Sequence, residues 1–185
     1  MLFRSVTVNG AIPVFAKRMD CDMDERGIGV IKLDGADSVK RCMKLYKEFG
    51  IESIAIIDKD KKNDYGSETG IYFTKANDYE EDVYNNFKLN DYLRCCKEIT
   101  GVSHFIPILR NKGLTFNPAD FVADPSILEI DDETQEKVMS ENRSRELEKL
   151  KQSKNAAKGA ILAEYVTVIP SVFKTVINKL IKEVK

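Results

Sequence analysis

The sequence predicts an α/β fold, a mostly parallel four-stranded sheet flanked by helices, with a C-terminal helical extension. Three observations carry the prediction. Apolar runs at Ile28 to Leu33, Ser53 to Ile57 and Gly70 to Thr74 read as short buried strands. The amphipathic stretch Asp37 to Phe49 lies between the first two, which is strand–helix–strand alternation at βαβ spacing. Past Tyr79 the pattern becomes largely helical.

In chain order, Val6 to Val8 reads as a short strand fragment. Ala11 to Met19 reads as a helix, with Pro13 tolerated only in its first turn. Asp20 to Arg26 is a polar turn closed by Gly27, and Ile28 to Leu33 is a strand. Asp37 to Phe49 puts Val39, Cys42, Met43, Tyr46 and Phe49 on one helical face, and Gly50 ends it. The strand Ser53 to Ile57 is followed by a polar loop, Lys59 to Thr69, and by the strand Gly70 to Thr74. Tyr79 to Ile99 is helical. Gly101 to Ile127 is loop-rich, with Pro107, Pro118 and Pro125. Asp132 to Ser153 is charged, has few apolar positions and reads as a solvated helix. Asn155 to Val166 and Ser171 to Val184 are helical segments separated by Pro170. The expected division is an α/β core over residues 1–99 and a helical extension over residues 100–185.

Composition narrows the functional classes. Of 185 residues, 43% are hydrophobic and 32% charged, which is a globular balance. The formal net charge is −1, so nucleic-acid binding would need a local patch or a metal ion. No apolar run approaches membrane-spanning length, and Met1 to Asn9 lacks a signal-peptide layout. The four cysteines, Cys21, Cys42, Cys95 and Cys96, form no Cys-x-x-Cys pair and read as reduced thiols of a cytoplasmic protein. There is no Gly-x-x-x-x-Gly-Lys-Ser/Thr phosphate loop. His104 is the only histidine, which leaves a histidine triad or a Cys/His zinc site poorly supported.

The chemistry concentrates in acids. Glu52-Ser-Ile-Ala-Ile-Ile-Asp-Lys-Asp60 ends a strand in two carboxylates spaced i and i+2. In an extended chain that spacing aims both the same way. Asp58 and Asp60 close together repel unless a cation or a proton intervenes. An oxygen-only site of this kind suits Mg2+ or Mn2+. A second cluster, Asp78-Tyr-Glu-Glu-Asp82, follows the next strand and opens a helix. There Asp78 reads first as a helix cap and its neighbours as dipole partners. Adjacent parallel strands bring their ends to one edge, so Asp58, Asp60 and Glu80 would share a metal site. Glu81 and Asp82 remain alternatives to Glu80, because helix phase is uncertain by a residue or two at a helix start. Asp34 follows a strand as well and reads as a turn residue before Gly35. The basic candidate is Lys158, set among small residues in Lys154-Asn-Ala-Ala-Lys-Gly-Ala. It is there to neutralise charge on a phosphate, or else is an ordinary surface lysine.

Taken in order, these pieces resemble the TOPRIM domain of the overcoming-lysogenization-defect (OLD) family of ATP-dependent endonucleases. The match runs through Gly10-Ala-Ile-Pro-Val-Phe-Ala-Lys-Arg-Met, then Met23-Asp-Glu-Arg-Gly-Ile-Gly-Val-Ile-Lys-Leu-Asp-Gly. It continues through Phe49-Gly-Ile-Glu-Ser-Ile-Ala-Ile-Ile-Asp-Lys-Asp, which looks like the family's Asp-x-Asp motif. Asp78-Tyr-Glu80 resembles its later acidic motif. Lys158-Gly159 with Val168-Ile-Pro170 resembles its tail. The resemblance implies a TOPRIM-like, Rossmann-type sheet and a divalent-metal nuclease that nicks DNA. Asp58, Asp60 and Glu80 would be metal ligands, and Lys158 the catalytic basic residue that contacts the phosphate or stabilises the transition state. It also implies partners: DNA, an ATPase subunit or full-length homologue, and a second copy of the chain. Phage defence is the family's implied setting.

One departure stands out. The family opens this domain with a strand and a Glu-Gly-x-Thr-Glu motif, whereas Phe3-Arg-Ser-Val-Thr-Val-Asn9 contains no acid. The expected glutamates fall near Arg4, Val6 and Val8. The family's preceding ATPase is not in this sequence, so the chain reads as the back half of such a protein. The expectation is therefore a catalytically incomplete nuclease module. The alternative is an interaction module docking through Asp132 to Lys185. A phosphate receiver using Asp58 as nucleophile is disfavoured, because no threonine follows Asp60 and no early acidic pair follows a first strand.

Overall fold

The structure, a computed structural model, describes residues 2–3, 6–33, 36–65 and 68–183. In chain order the elements are β1 (Leu2–Phe3), α1 (Val6–Lys17), β2 (Ile31–Lys32), α2 (Ala36–Glu48), β3 (Ala55–Ile57), a 3-10 turn (Lys59–Lys61), α3 (Lys62–Tyr65) and β4 (Ile71–Phe73). They continue with α4 (Tyr79–Tyr84), α5 (Leu89–Ile99), α6 (Phe105–Asn111), α7 (Pro118–Ala123), a second 3-10 turn (Pro125–Ile127), α8 (Asp132–Lys151), α9 (Ala156–Tyr165) and α10 (Ser171–Glu183). The architecture is α/β, mostly helical, around a small parallel sheet. The strands pair in the order β2-β1-β3-β4, all parallel. The longest ladder is β3 on β4, Ala55 to Ile57 against Ile71 to Phe73.

The sheet is covered on both faces, and the alternation along β3 shows how. Ile54 and Ile56 enter the large core with helices α1, α5, α9 and α10. Ala55 and Ile57 join a smaller cluster with Val39 and Tyr65, backed by Cys42, Met43 and Tyr46 of α2. Successive strand side chains point to opposite faces, so a run of four apolar residues feeds two layers. The large core continues into Val138, Leu147 and Leu150 of α8 and Phe173, Val176 and Ile177 of α10.

Several sequence expectations change. Val6 to Val8 is the start of α1, not a strand. Val8, Ala11, Ile12 and Phe15 are buried at i, i+3, i+4 and i+7, and that stripe outweighs the β-propensity of two valines. The first strand is instead Leu2–Phe3, between β2 and β3. Pro13 lies in the interior of α1 rather than its first turn. It sits on the exposed face, where the carbonyl that loses its partner can meet solvent. The segment 101–127 is more helical than its prolines indicate. Pro118 and Pro125 sit at first-turn positions, capped by Asn117 and Asp124, where proline costs little. The helix α8 is not simply solvated: Gln135, Val138, Glu146, Leu147 and Leu150 are buried along it. Asp34 lies outside the described residues.

The helices α1 and α9 approach most closely at Gly10. A Cβ there would lie 1.8 Å from the Ala156 carbonyl oxygen, so no larger residue fits without moving a backbone. Arg18 of α1 reinforces the seam by donating to the Ala163 carbonyl at 2.5 Å. This packing fixes the end of α9 that follows the α8–α9 connection. Among the described residues, no helix is long and apolar enough to cross a membrane.

Candidate functional site

The site forms where β3 and β4 end. Chain direction is the same in both strands, so their C-terminal ends share one edge. Buried Thr74, just past β4, ties the two exits together. Its amide donates to the Ile57 carbonyl at 3.0 Å. Its hydroxyl accepts from the Lys59 amide and donates to the Ala76 carbonyl, both at 2.9 Å. The Asp60 amide donates to the Asn77 carbonyl at 3.2 Å. Asp58 and the start of α4 are thereby held side by side, and the Tyr79 amide donates to Asp58 Oδ1 at 3.2 Å.

Asp58 is extended, but the chain then turns into the 3-10 element. The i, i+2 alignment expected of a continuing strand is therefore lost. Asp60 is exposed in that turn and pairs with Lys61 at 3.2 Å. Its charge still acts on Asp58. Asp78 caps α4: Oδ1 accepts from the Glu81 amide at 2.9 Å and Oδ2 meets Lys151 Nζ at 2.7 Å. Glu81 turns away to Arg143 and to Asn77, whose side-chain amide lies at 2.8 Å. Asp82 accepts from the Lys75 amide at 3.1 Å. Of the three acids left open by helix phase, Glu80 acts most strongly on Asp58. Its side chain is 1% exposed. Oε2 accepts from Lys154 Nζ at 2.7 Å, and Oε1 is buried without a hydrogen-bond partner.

The electrostatics follow this layout. Burial, with the charges of Glu80 and Asp78, pushes the Asp58 carboxyl up to about 6, against the opposing pull of Lys154. Burial also raises Asp82, with the Lys75 amide opposing it. The hydrogen bond from Arg143 holds Glu81 below the usual range. The hydrogen bond to Asp78 raises Lys151.

Lys158 is buried at the start of α9. Its Nζ donates to the Lys149 carbonyl at 3.1 Å and the Gln152 carbonyl at 2.7 Å. It thus closes the carbonyl end of α8. Burial lowers its pKa, and Glu80 acts on it in the opposite sense through space. The cations in direct contact with the acids at the start of α4 are Lys154, on Glu80, and Lys151, on Asp78. Sequence reasoning did not single these out. The signal was there as a lysine series at 149, 151, 154 and 158, but only the turn after α8, where Ser153 takes φ +50°, decides which of them face the acids.

These residues can be tested against a divalent ion. The donors are hard oxygens, and Glu80 Oε1 is an orphaned buried acceptor. Among the described residues, however, no three His, Cys, Asp or Glu side chains form a closed metal-binding group. The fit is to an ion held by one or two carboxylates that keeps several waters, which is the ordinary habit of Mg2+. Asp58 and Glu80 supply that pair.

Residues 9–60 match the family described as Overcoming lysogenization defect protein-like, TOPRIM domain. That segment runs from α1 to Asp60 and stops short of Glu80 and Lys158. No curated protein matches the chain by sequence. Among solved structures, it resembles the C-terminal region of the Burkholderia pseudomallei OLD protein, with a TM-score of 0.55 and 15% identity over 100% of this chain and 96% of that one. It also resembles the C-terminal region of the Xanthomonas campestris pv. campestris OLD protein, with a TM-score of 0.51 and 15% identity over 99% of this chain and 94% of that one. At this identity the likeness concerns the fold. Over residues 9–60, the chain is similar to the TOPRIM domain of the OLD-like family.

Proposed function

We propose that this chain is a nuclease-type TOPRIM module that binds Mg2+ or Mn2+ at Asp58 and Glu80 and acts weakly, or with a partner, on a DNA phosphodiester. The observation that carries this reading is the buried, unpartnered Glu80 Oε1 beside an Asp58 of raised pKa. An unsatisfied buried acceptor costs about 1–3 kcal/mol, and a cation would relieve it. When bound, the ion supplies a Lewis acid and a water of lowered pKa.

The chain's own residues do the rest. The Tyr79 amide orients Asp58, and Thr74 fixes the edge on which both acids stand. Asp60 stays at the rim as a source of negative charge. Lys158 contributes as a positioning residue, since its ammonium ties the end of α8 that carries the lysines. With no acid in Phe3 to Asn9, the donor set is smaller than the family resemblance implies, and low intrinsic activity follows.

The test is nicking of supercoiled plasmid with Mn2+, beside Asp58→Asn. Slow nicking that the variant loses supports the reading. Absence of Mn2+ binding at millimolar metal sinks it. A second reading, an interaction module, draws on a different observation: Leu45, Phe49 and Ile51 are 49%, 72% and 53% exposed at the end of α2 and beyond it. Apolar exposure of this size marks contact surfaces. Val168, 47% exposed, adds an apolar position within the helical extension. Light scattering of the wild type and Phe49→Ser would show whether the α2 patch drives association.

A further inference from the structure

The acids of the site are matched almost one to one by lysines. Asp60 pairs with Lys61 at 3.2 Å, Asp78 with Lys151 at 2.7 Å and Glu80 with Lys154 at 2.7 Å. Among the described residues Asp58 has no ion pair, and its carboxylate accepts only the Tyr79 amide. These four acids and three lysines sum to a net charge of −1. One divalent ion would leave it at +1, which a single phosphodiester charge then cancels. Two divalent ions would leave it at +3, with the lysines still in place.

Geometry agrees with the charge balance. Asp78 has both oxygens committed, one to the helix cap and one to Lys151. Glu80 has one oxygen on Lys154 and one free. The Lys154 side chain is 35% exposed, whereas that of Glu80 is 1% exposed. The ammonium thus joins a buried carboxylate to the solvent side of the pair.

We propose that Lys154 is the built-in counter-cation of Glu80 and takes the charge position of a second metal ion, so that the site admits one divalent ion at Asp58 and Glu80 Oε1 and presents the ammonium to a phosphate oxygen. This rests on the metal-binding reading given above. It makes Lys154, rather than Lys158, the lysine that sets how many ions the site holds. Lysine is suited to the task as a compact point charge on a flexible stem.

The experiment is calorimetric titration with Mn2+ alone, with free Mn2+ counted in parallel by electron paramagnetic resonance. It compares the wild type, Lys154→Met, Lys154→Arg and Asp58→Asn, each with circular-dichroism melting as a check of folding. The wild type is expected to bind one ion per chain, and Asp58→Asn to lose it. Lys154→Met is expected either to bind Mn2+ on the order of tenfold more tightly or to take a second ion, because removing a nearby positive charge favours a cation. Lys154→Arg keeps the charge and is expected to stay within about twofold of wild type on the same grounds. Two ions on the wild type would overturn the inference while leaving the metal site standing. So would a Lys154→Met protein, folded, with unchanged affinity and stoichiometry. If neither wild type nor Lys154→Met binds Mn2+, the metal-binding reading falls, and the role of Lys154 falls with it.

Discussion

Glu80 and Glu146 are two carboxylates buried to the same degree and treated in opposite ways. Each side chain is 1% exposed. Glu146, on α8, is fully engaged: Oε2 accepts from the Tyr92 hydroxyl at 3.1 Å and faces His104 Nε2 at 3.3 Å, while Oε1 accepts from Lys149 at 2.9 Å. Glu80, on α4, has one oxygen served and one bare. A buried polar network that is complete rigidifies a core, whereas one left incomplete is costly unless something else completes it. Burial alone therefore does not mark a site. At Glu80 a bare oxygen coincides with neighbouring acids, and that combination does.

The sharpest way to break this contrast is Glu146→Ala. It strands a tyrosine hydroxyl, a histidine and a lysine in or near the core, and a loss of about 3–5 kcal/mol is expected for breaking a buried charge network. Chemical denaturation measures it. His104, whose pKa burial lowers, would then be free of the acid it faces. A loss below about 1 kcal/mol would mean that the network is ornamental.

Gly10→Ala comes next. It leaves both carboxylates untouched but forces α9 off α1, at an overpacking cost of about 1–3 kcal/mol or more. It should also weaken Mn2+ binding if the seating of the α8–α9 connection matters to the site. An unchanged melting temperature would contradict the close approach at Ala156.

Asp58→Asn sharpens the comparison by pH. The folded Asp58 titrates at about 6, above its ordinary 3.8. The folded chain therefore holds this proton more tightly than the unfolded chain. That contribution to stability is complete below the unfolded value and is lost as pH rises through about 6. Near pH 8 the variant should be more stable by about 1–3 kcal/mol, with the gain shrinking toward pH 5. Thermal melts at the two pH values decide it, and a variant less stable at both would mean that the charged form is favoured.

Glu80→Gln should have the smallest effect on stability, within about 1 kcal/mol, because only a partly exposed lysine loses its charge partner. It should nevertheless abolish Mn2+ uptake. A large loss of stability would place Glu80 with Glu146 as a structural acid.

Much of this was legible in the sequence. The βαβ spacing, the apolar runs at β3 and β4 and the helix α2 are local patterns of period 2 or 3.6, and the protein keeps them. The strand-end position of Asp58 and the capping role of Asp78 could also be read, because each depends on a few neighbouring residues. The strand at Val6 to Val8 misled, since Val6 and Val8 carry β-propensity while the buried stripe from Val8 to Phe15 is helical.

What the sequence by itself determined was the set of elements and the acids that end them, since hydrophobic period and turn chemistry act over a single helix or strand. Only the tertiary structure decided which acid meets which cation. Glu80 and Lys154 are 74 residues apart. Their pairing depends on α9 closing on Gly10 and on the turn at Ser153. Charge complementarity over such separations is specified by packing, because an ion pair is too weak to choose its partner in water and becomes selective only once burial has removed the competition.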